Sequence, residues 1–131
     1  MAYVLDSSAI LSVLLLADEA DEVINRLRAA SKGEDERVVV PFTVMNELEL
    51  YLIRHLPDEV DQALALVEGW PVEIVESFPQ WRREVVRLLA TLDIEPNIAW
   101  PAALALVYNA KLVHQDTAFD VIPGLDRITL I

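Results

Sequence analysis

Apolar residues fall along this chain in two rhythms, and their alternation predicts the architecture. Met1-Ala2-Tyr3-Val4-Leu5 is a continuous apolar run that ends on Asp6, followed by Ser7 and Ser8. Such a run fits a strand buried on both faces, as in a parallel sheet. Residues 9–16 read as a helix, with Ser7 or Ser8 placed to cap it. Val23, Ile24, Leu27 and Ala30 then recur at helical spacing, and Gly33 suits the end of that helix. Arg37-Val38-Val39-Val40 is a second buried strand closed by Pro41. Thr43 is expected to cap the next helix, which runs through Val44, Met45, Leu48 and Leu52 and stops before Pro57.

The same alternation continues to the last residue. A helix from Asp58 turns Val60, Ala63, Leu64 and Val67 inward and finishes at Gly69. Val72-Glu73-Ile74-Val75 is a third strand. An amphipathic helix over 78–92 follows, with Trp81, Val85, Leu88 and Leu89 on one side. Residues 93–97 form a loop, and 99–109 form a nearly all-apolar, deeply buried helix. Lys111-Leu112-Val113-His114 is a fourth strand, Pro123-Gly124 a turn, and 127–131 a short last strand. Strands alternating with helices predict a three-layer α/β/α sandwich around a central, mostly parallel sheet. Residues 1–131 read as one domain, without repeat or linker.

Composition narrows the function. With 22 acidic and 10 basic residues, the chain carries a formal charge of −12, against gripping nucleic acid by bulk electrostatics. An enzyme that meets phosphate through a bound cation remains open, as does a local patch. Arg82, Arg83 and Arg87 lie on one helix and could form that patch, although a solvated helix face explains them as well. Without cysteine, disulfides and thiolate metal sites are excluded, and any hard cation must use oxygen ligands. Residues 9–17, interrupted by Ser12, are too few to span a bilayer and do not read as a signal peptide. A cytoplasmic protein is expected.

Familiar catalytic signatures are missing. Three glycines cannot make a phosphate-cradling loop, and neither His55 nor His114 has a serine partner, so both read as structural. Oxygen chemistry remains. Asp6 ends the first strand, Glu47 is expected in the first turn of the helix after the second, and Asp116 follows the fourth. In a parallel sheet all three connections emerge on one edge, where ligands bind. Carboxylates gathered there repel one another, and a divalent cation relieves the repulsion while activating water for displacement at phosphorus. Each acid has a plainer reading: Asp6 as a helix cap, Glu47 as a surface residue, Asp116 as the start of the turn over 117–120. Asp120 pairs with Thr117 as a capping box.

Val4-Leu5-Asp6-Ser7-Ser8-Ala9, Val40-Pro41-Phe42-Thr43-Val44-Met45-Asn46-Glu47-Leu48 and Ala110-Lys111-Leu112-Val113-His114-Gln115-Asp116 with Phe119 together resemble the PIN domain. The resemblance is to VapC-type toxins of prokaryotic type II toxin–antitoxin pairs, and it covers nearly the whole chain. It implies a Mg²⁺- or Mn²⁺-dependent endoribonuclease that acts on RNA, is dimeric and is inhibited by a small antitoxin. The family's acidic positions fall on Asp6, Glu47 and Asp116. A further family Asp, opening the buried helix, falls on Ile98; Asn97 beside it, or Asp93 or Glu95 before it, is the available substitute. Ser8 and Asp120 are secondary candidates. The alternative is a PIN domain that has lost hydrolysis and serves as a protein- or RNA-binding module. Trp81 and Trp100 are candidates for a dimer face, with core packing as the plainer account. The apolar first helix is a candidate wall of an antitoxin groove.

Overall fold

The computed structural model describes residues 1–33 and 35–130. Among them, five strands form one parallel sheet: β1 (Ala2–Leu5), β2 (Arg37–Pro41), β3 (Glu73–Val75), β4 (Lys111–His114) and β5 (Arg127–Thr129), in the order β3-β2-β1-β4-β5. Tyr3 pairs with Val38 on one side and Lys111 on the other, and His114 pairs with Thr129. Ile131, expected in the last strand, lies outside the described residues.

Among the described residues six helices cover the sheet: α1 (Ser7–Leu14), α2 (Asp21–Ser31), α3 (Phe42–His55), α4 (Val60–Glu68), α5 (Pro79–Thr91) and α6 (Pro96–Tyr108). Successive residues of a strand point to opposite faces, and the core divides accordingly. Val4, Val39 and Leu112 pack with Trp81, Val85 and Leu88 of α5 and with the Ala-rich body of α6. Tyr3, Leu5, Val38, Val40 and Val113 pack instead with buried residues of α1 to α4. The three layers expected from the hydrophobic pattern are therefore present.

Several local expectations are corrected. Neither Ser7 nor Ser8 caps α1; Asp6 does, accepting the Ser8 N–H. Thr43 does not cap α3, because the helix already begins at Phe42, with Pro41 as its flanking residue. Glu47 is therefore in the second turn of α3, not the first. Likewise Asp116, rather than Thr117, caps the 3₁₀ turn Thr117–Val121, which leaves Asp120 to pair with Arg127 at 3.2 Å instead of closing a capping box. Helix α6 starts three residues earlier than expected, at Pro96, a residue whose missing N–H is harmless in a first turn. Asn109 then ends it in the left-handed conformation, φ 51°. Leu89 stays exposed on α5. Trp81 is fully buried and donates its indole N–H to the Trp100 carbonyl at 2.9 Å, so it belongs to the core and not to a dimer face.

Candidate active site at the carboxyl edge of the sheet

Asp6 leaves the end of the central strand, β1, and is almost entirely buried, with 4% of its surface exposed. Its backbone N–H continues the β1–β4 ladder by donating to the Val113 carbonyl at 3.1 Å. Its Oδ2 accepts the Ser8 hydroxyl at 2.9 Å and the Ser8 N–H at 3.4 Å. The Ser8 oxygen in turn accepts the Gln115 N–H at 2.9 Å, which fastens the end of β4 to the start of α1. Burial raises the Asp6 pKa above its ordinary value; the Ser8 and Ser7 hydrogen bonds oppose the rise and the Asp116 charge adds to it.

Glu47 approaches from α3. Its Oε2 accepts the Ser7 hydroxyl at 3.4 Å, whereas Oε1 is buried without a partner. Burial, then the Asp6 charge, push its pKa up to about 7, with a smaller contribution from Asp116; Ser7 and Asn97 act in the opposite sense. Asp116 follows β4. Its Oδ1 accepts the Ala118 N–H at 2.9 Å, and its own N–H donates to His114 Nδ1 at 3.0 Å. His114 is fully buried, and that burial lowers its pKa, favouring the neutral ring.

The three sequence-derived acids thus lie at one edge and feel one another's charge. They do not yet form a closed cage: among the described residues, no three His, Asp or Glu side chains stand close enough to hold an ion. Asp6 and Asp116 each turn an oxygen into their own cap. The donor set is nonetheless that of a hard divalent cation, all carboxylate oxygen. A buried, unpartnered Glu47 Oε1 is the atom such an ion would satisfy.

The secondary candidates separate. Ile98 is buried in the apolar core, so no acid is replaced there from within the site. Asn97, exposed in the first turn of α6, is the neighbour that acts on Glu47. Asp93 is exposed in the preceding loop, and Asp120 is engaged with Arg127. His114, read from the sequence as structural, is a fully buried side chain of β4.

The family model for the PIN domain matches residues 3–125. The chain belongs to the PIN domain family. Among solved structures, this PIN domain is similar to VapBC2 from Rickettsia felis bound to a promoter DNA fragment, with a TM-score of 0.78 at 18% identity over all of both chains. It is similar to DNA-bound VapBC from Salmonella typhimurium, with a TM-score of 0.76 at 20% identity over 98% of each chain. Mycobacterium tuberculosis VapC20, a sarcin-ricin loop cleaving toxin, gives 0.70 at 15% identity, covering 94% of this PIN domain and 95% of that chain. These likenesses establish the fold. No curated protein matches the chain in sequence.

Proposed function

We propose that this PIN domain is a metal-dependent endoribonuclease and the toxin of a VapBC-type toxin–antitoxin pair, with residues 1–131 acting as one domain. The observation that carries the reading is Glu47: an unpartnered buried oxygen, a pKa of about 7 and the charges of Asp6 and Asp116 beside it. Asp6, Glu47 and Asp116 are the proposed catalytic residues and metal ligands. A Mg²⁺ or Mn²⁺ ion held by them would neutralise the site and supply an activated water. The chain's own contribution is orientation. Ser7 and Ser8 hold Glu47 and Asp6 through their hydroxyls, and Glu47 can carry or release a proton near neutral pH.

RNA is the proposed substrate, which the sarcin-ricin loop cleavage named for VapC20 supports. An antitoxin partner is supported by the neighbours solved as VapBC assemblies. No described helix is long and apolar enough to cross a membrane, and we assign the protein to the cytoplasm as a homodimer. Light scattering at low micromolar concentration should give twice the chain mass; a stable monomer would count against the dimer.

The test is Mn²⁺ titration by calorimetry together with cleavage of mixed RNA, comparing wild type with Asp6→Asn. Binding and cleavage lost in Asp6→Asn support the enzyme. Identical binding curves remove the metal site. One pair of observations favours the alternative, a binding module without hydrolysis: Ile98 is buried where the resemblance expects an acid, and among the described residues no three acids close on one point. Intact RNA in the presence of Mn²⁺ would select it.

A further inference from the structure

A fully buried histidine two residues before a candidate ligand has an unusually complete set of partners. The Asp116 N–H donates to His114 Nδ1 at 3.0 Å, so that nitrogen carries the lone pair. In a neutral ring the proton then sits on Nε2, 3.3 Å from Thr129 Oγ1. Thr129 lies opposite His114 in the β4–β5 register. The imidazole also packs against Phe119, ring centroids 4.9 Å apart. Phe119 closes the turn that Asp116 opens, donating its N–H to the Asp116 carbonyl at 3.3 Å. The ring is thereby fixed in one tautomer and one orientation by an adjacent strand and by the turn itself.

We infer that His114 is a positioning residue for Asp116. Its Nδ1 acceptor, aligned through Nε2–H and Thr129, sets the backbone of Asp116 so that the Asx turn onto Ala118 forms and the carboxylate is held at the sheet edge. Without the acceptor, the Asp116 N–H is left unpaired and the peptide is free to rotate, taking the carboxylate with it. Groups one step behind a ligand commonly change metal affinity by about 10–100-fold when removed. The inference rests on the proposed role of Asp116, but its structural half is measurable without metal.

Three substitutions separate the atoms of the ring. In His114→Asn the side-chain amide oxygen stands in for Nδ1, in His114→Gln it falls nearer Nε2, and His114→Leu offers neither. In metal-free protein, the Asp116 and Ala118 amides are expected to exchange about tenfold faster in His114→Leu and His114→Gln, and about as slowly as wild type in His114→Asn. Ring ¹⁵N shifts of the wild type should report the proton on Nε2. Mn²⁺ affinity should follow the same order, about tenfold weaker in His114→Leu and recovered in His114→Asn. Thr129→Val, at an exposed position, is a second variant should His114→Leu not fold, and should speed exchange of the Asp116 amide. Unchanged exchange in a folded His114→Leu or Thr129→Val, a proton on Nδ1, or equal loosening in the Asn and Leu variants overturns the inference. Wild type that fails to bind Mn²⁺ overturns the ligand role of Asp116 and with it the metal half of the inference. The exchange pattern then decides the positioning half alone.

Discussion

The Ser8 hydroxyl donates to Asp6 Oδ2 at 2.9 Å while its oxygen accepts the Gln115 N–H, also at 2.9 Å, so Ser8 and Asp6 form a tie between the ends of β1 and β4. Ser8→Ala removes the hydroxyl and leaves the Gln115 N–H without its acceptor. The loss should be about 1–2 kcal/mol of stability. Helix α1 should persist, because Asp6 still caps it. Urea unfolding followed by circular dichroism checks both points: a lower midpoint with unchanged helical signal.

Glu47 gives the protein a stability that depends on pH. Its pKa is raised from 4.5 to about 7 in the folded chain. Between those values the native state keeps a proton that the unfolded chain has lost, so stability is full below about pH 4.5 and declines as pH rises through about 7. Asp6, raised in the same direction by burial, adds to the trend. Glu47→Gln should flatten the decline and raise the metal-free melting temperature at pH 8, while weakening Mn²⁺ binding. Thermal melts from pH 4 to 8, with and without Mn²⁺, measure it.

Asn97 and Ile98 are neighbours with opposite surroundings. Asn97→Asp adds a carboxylate beside Glu47 and should tighten Mn²⁺ binding on the order of tenfold, as added ligand charge does. It should also raise the Glu47 pKa further. Ile98→Asp instead places an unpaired charge in the apolar layer below α6 and should destabilise by more than about 3 kcal/mol. Calorimetry on the first and chemical denaturation on the second distinguish the two positions.

Leu16 has φ 54° and is 89% exposed. A side chain in the left-handed region is strained unless it is Gly or Asn, and nothing at Leu16 offsets that strain through burial. Leu16→Asn should stabilise the fold by about 1 kcal/mol. A rise in melting temperature of the variant is the readout.

The centre of the sheet was legible because β1, β2 and β4 are short apolar runs that end at Asp6, Pro41 and Gln115, and each could be buried only between two helical layers. Asp6 and Asp116 were legible as strand-end carboxylates. Their capping was legible only as one alternative, because Ser7, Ser8 and Thr117 are equally good caps by composition and the backbone path chooses between them. Thr43 shows the same limit: Pro41 sets the entry to α3, and the threonine hydroxyl ends up buried without a partner. The early start of α6 carried a signal that the loop reading passed over, Pro96 at a first helical position. With that start, Asn97 rather than Ile98 faces Glu47. His114 was legible as the end of a strand, but its tie to Thr129 depends on β5 pairing beside β4, a contact between residues fifteen apart in sequence.

The alternation of β1 has one further consequence. Val4 answers to the layer of α5 and α6, while Tyr3 and Leu5 answer to the layer of α1 to α4. Sliding this strand by a single residue would turn every one of these side chains into the wrong half of the interior and carry Asp6 away from Ser8's grip on Gln115. The acidic edge can therefore be retuned by exchanging side chains at the strand tips, whereas an insertion or deletion upstream of Asp6 would have to be absorbed before Ala2 or lost with the fold.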